Sequence, residues 1–204
     1  MNKLELIKQT SDAYQEIEYK NIKIHKFTVS KEDVRRQKII AAMSCVYEDY
    51  FDFDAGEYVS LNIGGELVMS NTPMEIRTNS EFMNEAFGDV MIVGLGLGII
   101  LFEIAKKPNV NSITVIEKNS DLIDLIKPIL PHYIKNKLTI INGDIYDIDI
   151  KEKFDSLYFD IWNTIKGDNY PQMKELTKKF RKNRNKNSIL MHWRKNDCKI
   201  RFYE

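Results

Sequence analysis

The chain reads as an α/β protein with a doubly wound, mostly parallel sheet, preceded by a small β-containing extension. Three observations predict this. From Asp89 onward, short apolar segments alternate regularly with amphipathic ones of helical period. The first of those segments, Val90-Met-Ile-Val93, is wholly apolar and leads into Gly94-Leu-Gly-Leu-Gly98. Such a run suits a strand buried on both faces, as in parallel sheets. Finally, Gly64-Gly65 upstream lies between two alternating runs, which is a hairpin signal.

In order, residues 1–18 form a weak amphipathic pattern, with Leu4, Ile7, Tyr14 and Ile17 roughly on one side. Ile22 to Val29 alternates and suits a strand. Ser30 and Asp33 have capping-box spacing, and helical periodicity follows through Val34, Ile39, Ile40 and Met43. The acidic, aromatic stretch from Tyr47 to Asp54 offers carboxylates to a cationic substrate or, more plainly, forms a solvated loop with aromatic anchors. Tyr58–Ile63 and Glu66–Ser70 make the hairpin, and a helix is expected around Ser80 to Phe87 with Ser80 as its N-cap. Residues 1–75 are taken as the extension and 76–204 as the main domain.

Within the main domain the glycine turn follows a strand and opens a helix at about 97–107, which ends near Pro108. Ser112–Glu117 is the second strand, and Ser120–Leu130 a helix distorted at Pro128. Leu138–Asn142 and Phe154–Phe159 are the third and fourth strands. Pro171 sits in the first turn of a helix to about Arg184, and Ser188–Trp193 is the fifth strand. Cys198 to Tyr203 supplies one edge strand at most.

Composition narrows the functional classes. The 204 residues carry 30 Lys+Arg against 30 Asp+Glu, so no global field points to nucleic acid or membrane. No run approaches the roughly 18 apolar residues that suggest a membrane helix. Two cysteines, Cys45 and Cys198, lie far from any metal-ligand spacing. Free thiols in a reduced, cytoplasmic setting are expected.

In doubly wound sheets, ligands sit beyond the carboxyl ends of the strands. Four features fall there. Gly94, Gly96 and Gly98 end the first strand and allow positive φ and close ligand approach. Glu117 ends the second, where a carboxylate can accept both ribose hydroxyl protons. Asp144 follows the third, positioned to accept from an adenine amino group. Asp160 ends the fourth, next to Trp162 and Asn163. Each has a bland reading (tight strand–helix packing, a surface carboxylate, a turn residue, a strand-end cap), but their order and placement together predict a nucleoside-containing ligand. The dinucleotide spacing G-x-G-x-x-G is absent, because Ile99 stands at the third glycine's place, and so is the phosphate-cradling G-x-x-x-x-G-K-[S/T].

The span from Gly56 to Trp193 resembles the class I S-adenosylmethionine-dependent methyltransferases, with a Rossmann-like fold, and within them the spermidine synthase-like branch. More narrowly, Gly94-Leu-Gly-Leu-Gly, Val115-Ile-Glu-Lys, Phe159-Asp-Ile-Trp and Asp168-Asn-Tyr-Pro-Gln-Met look like small phage and bacterial proteins of that kind. For a phage-encoded member, the compartment would be the host cytoplasm. The resemblance implies S-adenosylmethionine, or its decarboxylated form, as cofactor. Its methionine and ribose would lie along Gly94–Gly98, its ribose on Glu117 and its adenine end at Asp144. The neighbours Leu95, Lys118 and Ile145 are counted with these residues, and Asp160 with both the cofactor and the catalytic set. Asp160, Trp162 and Asn163 are expected to line the space for the acceptor.

The departures matter. Spermidine synthases carry an aspartate within the glycine turn, where Leu97 stands here, and an Asp/Pro pair after the fourth strand that Asp160-Ile-Trp-Asn-Thr-Ile lacks. A polyamine's ammonium groups need such carboxylates. Methyl transfer is therefore the first expectation, aminopropyl transfer the second, and a non-catalytic cofactor-binding module the third. Only eleven residues follow Trp193. A partner subunit (a homo-oligomer) or the N-terminal extension closes the acceptor pocket, or the site stays open to a large substrate, or no transfer occurs. A small-molecule acceptor is expected first. The basic run Lys174–Lys186 offers phosphate contacts as the lesser reading, beside simple helix C-terminal stabilisation. His192 is expected to be a structural residue rather than a base.

Overall fold

A computed structural model describes residues 2–44 and 53–204, with side chains described for 2–40 and 53–204. The thiol Cys45 and all of the expected Tyr47–Asp54 segment except Phe53 and Asp54 lie outside the described residues. The chain divides into two compact units, Met1–Ser80 and Glu81–Glu204. The boundary expected at 75/76 falls inside one helix, Pro73–Glu85.

Among the described residues the first unit is a four-stranded antiparallel sheet in the order β1-β2-β3-β4 with two helices and the start of a third. Helix α1, Lys3–Ala13, is capped by the Asn2 side chain, which accepts from the Glu5 N–H. It stops at Ala13 rather than reaching 18, because Ile17–Tyr19 forms a strand, β1, paired with β2, Ile22–Val29. A three-residue strand has no periodicity of its own, so only the pairing reveals it. Helix α2, Lys31–Ser44, starts with the expected reciprocal cap. Asp33 accepts from the Ser30 N–H, and Ser30 Oγ accepts from the Asp33 N–H. The hairpin of β3, Gly56–Ile63, and β4, Glu66–Ser70, turns on Gly64 and Gly65 at φ 62° and 85°. Buried Asn71 ties the unit together. Its Oδ1 accepts from the Val59 N–H, while its Nδ2 donates to the Ile7 carbonyl and to the Thr10 and Ser11 hydroxyls. The helix expected from Ser80 is α3, which begins at Pro73. A proline at the first helical position costs no hydrogen bond and presets φ, so it outranks a serine seven residues later. Ser80 instead donates its hydroxyl to the Arg77 carbonyl within the helix.

The second unit is a five-stranded, all-parallel sheet in the order β7-β6-β5-β8-β9. Its strands are β5 (Gly88–Val93), β6 (Val110–Glu117), β7 (Leu138–Asn142), β8 (Phe154–Phe159) and β9 (Arg184–His192). The first three progress outward on one side, and the chain then crosses to the other side of β5. The switch in direction therefore lies between the central strand β5 and its neighbour β8, both wholly buried at Val90–Val93 and Ser156–Phe159. This doubly wound, Rossmann-like arrangement is the predicted fold class.

Several elements differ from expectation. Helix α4, Ile99–Ile104, has six residues instead of about eleven. Its end tightens through Lys106 N–H to Glu103 and Lys107 N–H to Ile104 carbonyl bonds, so the helix behind the glycine turn carries only a small dipole. Helix α5, Ser120–Ile129, contains Pro128 and is followed by a single-turn α6, His132–Lys135. Helix α7, Asn169–Lys179, passes into a 3-10 turn at Phe180–Asn183, and β9 begins at Arg184 rather than 188. After β9 the chain does not form an edge strand: Lys195–Tyr203 is helix α8. Cys198 is the buried face of α8. The packing of α8 on the segment before α7 is close. A Cβ on Gly167 would lie 2.8 Å from the Arg201 carbonyl.

Candidate cofactor and acceptor site

The site is built where β5 and β8 end on either side of the switch. Backbone bonding continues beyond the strands: the Asp160 N–H donates to the Val93 carbonyl and the Gly94 N–H to the Ile116 carbonyl, each at 2.9 Å. Gly94 has φ 97°, and a Cβ there would lie 2.1 Å from the Asp160 carbonyl oxygen. No side chain fits, so glycine is required for β5 and β8 to end side by side. Gly96 and Gly98 have φ 50° and 63°. Leu95 and Leu97, which alternate with the three glycines, are 4% and 0% exposed and fasten the turn to the core.

Glu117 ends β6 and is buried. Its Oε2 accepts from the Leu95 N–H of the glycine turn at 2.9 Å, and its Oε1 accepts from the Asn119 N–H at 2.8 Å. Each oxygen accepts one amide and keeps acceptor capacity for a further donor. Asn119 in turn caps α5, accepting from the Asp121 and Leu122 N–H groups. Asn142, at the end of β7, donates to the Glu117 and Lys118 carbonyls and so holds the strand ends in register. The Lys118 side chain is exposed.

Asp144 is half-buried, and its Oδ1 accepts from the Tyr146 N–H at 2.9 Å in an Asx turn. Ile145 is buried at 4% exposure. The loop they open is tied down by α7 and its 3-10 extension. Lys179 Nζ donates to the Ile145 and Tyr146 carbonyls, Lys182 pairs with Asp149 at 3.0 Å, and buried Asn183 donates to the Ile150 and Glu152 carbonyls. Two cations of the basic run are thus engaged within the fold.

On the β8 side Asp160 is half-buried and Asn163 exposed. Trp162 is buried, with its indole N–H donated to Gln172 Oε1 at 2.9 Å and its ring 5.8 Å from that of His192. Gln172 also accepts from the Tyr146 hydroxyl at 3.4 Å, so it joins the loops after β7 and β8. His192 stacks on Phe159 at 4.8 Å, and its Nε2 lies 2.8 Å from the Thr177 hydroxyl. That hydroxyl's single proton is donated to the Met173 carbonyl, so Nε2 carries the imidazole proton. Burial, followed by the nearby Lys195 charge, pushes the His192 pKa down to about 3, and the ring is neutral.

Glu117, Leu95 and the three glycines therefore form one connected group, and Asp160 abuts it at Gly94. Trp162 belongs to a second group with Gln172, Tyr146 and His192. Asn142, Gln172 and Lys179 escaped sequence reading, because each acts through contacts with distant chain; Asn119 was missed although its cap of α5 is local. Among the described residues no cluster of His, Cys, Asp or Glu suits a metal ion, and no helix is long and apolar enough to cross a membrane.

No family model matches the chain, and no curated protein does. Solved structures do resemble it. DhpI in a complex with SAM and HEP matches at TM-score 0.45 and 13% identity, over 57% of this chain and 51% of that one. Coclaurine N-methyltransferase bound to N-methylheliamine and SAH matches at 0.45 and 16%, over 57% and 34%. The glycopeptide N-methyltransferase MtfA complexed with SAM matches at 0.44 and 14%, over 58% and 52%. The chain spans about half the length, or less, of these structures.

Proposed function

We infer that the protein binds S-adenosylmethionine and transfers its methyl group to an acceptor brought to the Asp160–Asn163 end of β8. The observation that carries this reading is the buried Glu117 carboxylate, fixed by the Leu95 and Asn119 amides beside a glycine turn with three positive-φ residues. A carboxylate so held offers two oriented acceptors to a vicinal diol, and the glycines of the turn would present main chain rather than side chains to an extended ligand. In this reading Asp144, after the adjacent strand β7, serves the base of such a nucleoside. The chemistry asks little else. The sulfonium is already activated, and holding a nucleophile in line with its methyl supplies most of the rate effect. In this reading Asp160 binds the cofactor's ammonium group or orients the acceptor, and Leu97 in the turn leaves no carboxylate there for a polyamine.

Calorimetric titration with S-adenosylmethionine, S-adenosylhomocysteine and decarboxylated S-adenosylmethionine tests this reading. Wild type is expected to bind the first two, and Glu117→Ala to lose both. Absence of binding by wild type would overturn the reading. Preference for the decarboxylated form would replace methyl transfer with aminopropyl transfer, and tight binding without turnover of any acceptor would leave a cofactor-binding module.

A further inference from the structure

Charge in this neutral chain is unevenly placed. Residues 166–204 hold twelve Lys and Arg against four Asp and Glu, while residues 1–165 hold eighteen against twenty-six. Part of that surplus forms a row on α7. Tyr170, Lys174 and Lys178 recur every four residues, about 6 Å apart along the axis, and Arg181 continues them into the 3-10 turn. Lys174, Lys178 and Arg181 are exposed and form no ion pair among the described residues, unlike Lys182, which pairs with Asp149.

At the start of this row stands an aromatic cluster. Tyr170 lies 5.7 Å from Phe202 and 6.1 Å from Tyr203 between ring centroids, and the latter two lie 5.2 Å apart. Lys174 Nζ sits 5.5 Å over the Tyr170 ring. Phe202 is 43% exposed, Tyr203 69% and Ile200, on the same helix, 58%. Rings packed on one another while so open to solvent hold their faces in fixed orientations. The Gly167 contact with the Arg201 and Phe202 backbone sets the cluster against the 160–168 segment, which begins with Asp160.

We propose that this face of α7 and α8 binds single-stranded nucleic acid, with bases stacking on Phe202 and Tyr203 and the backbone following Lys174, Lys178 and Arg181. A linear row of cations fits a linear polyanion, and oriented aromatic faces fit ligands that present flat rings along it. A second copy of the chain fits less well, because a two-fold contact would set this cationic row against itself. The proposal does not depend on methyl transfer.

The test is fluorescence anisotropy of a short fluorescein-labelled oligothymidylate with the full chain. Wild type should bind, with affinity falling about 20- to 50-fold between about 50 and 200 mM salt, as three to four phosphate contacts require. Lys174→Glu/Lys178→Glu/Arg181→Glu should weaken binding at least about tenfold and flatten the salt dependence. Phe202→Ala/Tyr203→Ala should weaken it about tenfold with the salt slope unchanged, and Tyr203→Trp alone should bind at least as well as wild type. Lys8→Glu/Lys31→Glu/Lys38→Glu makes the same charge change on exposed residues of the first unit and should stay within about twofold. The proposal is overturned if wild type fails to bind at the lower salt, or if the control triple loses as much as the α7 triple. It also falls if the aromatic variant binds undiminished, or if phosphatidylserine vesicles, and not the oligonucleotide, bind through these residues.

Discussion

The Glu117 carboxylate accepts the main-chain N–H of Leu95 across 22 residues of sequence, at 2.9 Å. One side chain at the end of β6 thereby sets the path of the glycine turn that follows β5. The carboxylate proposed above to hold a diol is thus the same group that fixes the turn. Glu117→Ala should therefore speed hydrogen exchange at the Leu95 and Asn119 amides even without ligand, and cost about 2–4 kcal/mol in urea unfolding, two charge-assisted bonds being lost. Unchanged exchange at Leu95 would show that the turn stands on its glycines and leucines alone.

Gly94→Ala tests the approach of β5 to β8. Its Cβ would stand 2.1 Å from the Asp160 carbonyl, in a backbone with φ 97°. Neither the strand end nor the carbonyl can yield without breaking the Asp160 N–H to Val93 bond. A loss of about 3 kcal/mol or more is expected. Gly56→Ala, with nothing within 4 Å of the new Cβ and no positive φ, should stay within about 1 kcal/mol. Thermal unfolding of the two variants decides this.

His192 makes stability depend on pH. Its folded pKa of about 3 lies below its ordinary 6.5, chiefly because of burial. The unfolded chain therefore takes up the proton first. The native state is favoured by the neutral ring above pH 6.5, and stability falls as pH drops from 6.5 toward 3. The slope approaches about 1.4 kcal/mol per pH unit, or about 2 kcal/mol between pH 6.5 and 5. Carboxylates titrate in the lower part of this window, so the measurement is the difference between wild type and His192→Gln in urea midpoints at pH 7 and 5. Equal pH dependence of the two proteins would refute this assignment.

Asn183 is the least replaceable link between α7 and the β7–β8 connection. It is 2% exposed, and its Nδ2 serves the Ile150 and Glu152 carbonyls at 2.6 and 2.9 Å. Asn183→Ala should cost about 2–3 kcal/mol, as two buried carbonyls lose their donor. Lys182→Ala, whose partner Asp149 is largely exposed, should cost less than about 1 kcal/mol. Exchange protection across residues 145–152 should fall in the first variant and hold in the second.

What could be read in advance follows from how local each signal is. The Ser30–Asp33 cap, the Gly64-Gly65 hairpin and the apolar strands β5, β6 and β8 depend on neighbours within a few residues, and all were legible. Tyr19's strand, the start of α3 and the helical end of the chain were not. Cys198 to Tyr203 alternates well enough for a strand, but the helix buries Cys198 and seats its last turn on Gly167. The basic run was legible as charge but not as two populations. Lys179 and Lys182 spend their charge on the β7–β8 connection, while Lys174, Lys178 and Arg181 remain at the surface.

By itself, then, the sequence determined the alternation of strand and helix, the parallel sheet and the placement of Gly94, Glu117, Asp144 and Asp160 at successive strand ends, because hydrophobic period and glycine content act over a handful of residues. Only the tertiary structure decided that Glu117 grips Leu95, that Gly94 must clear the Asp160 carbonyl, and that α7 carries both the ties of one loop and an open row of cations. Those outcomes depend on which strands become neighbours, and that is settled when β8 crosses to the far side of β5 and brings distant backbone within hydrogen-bonding reach.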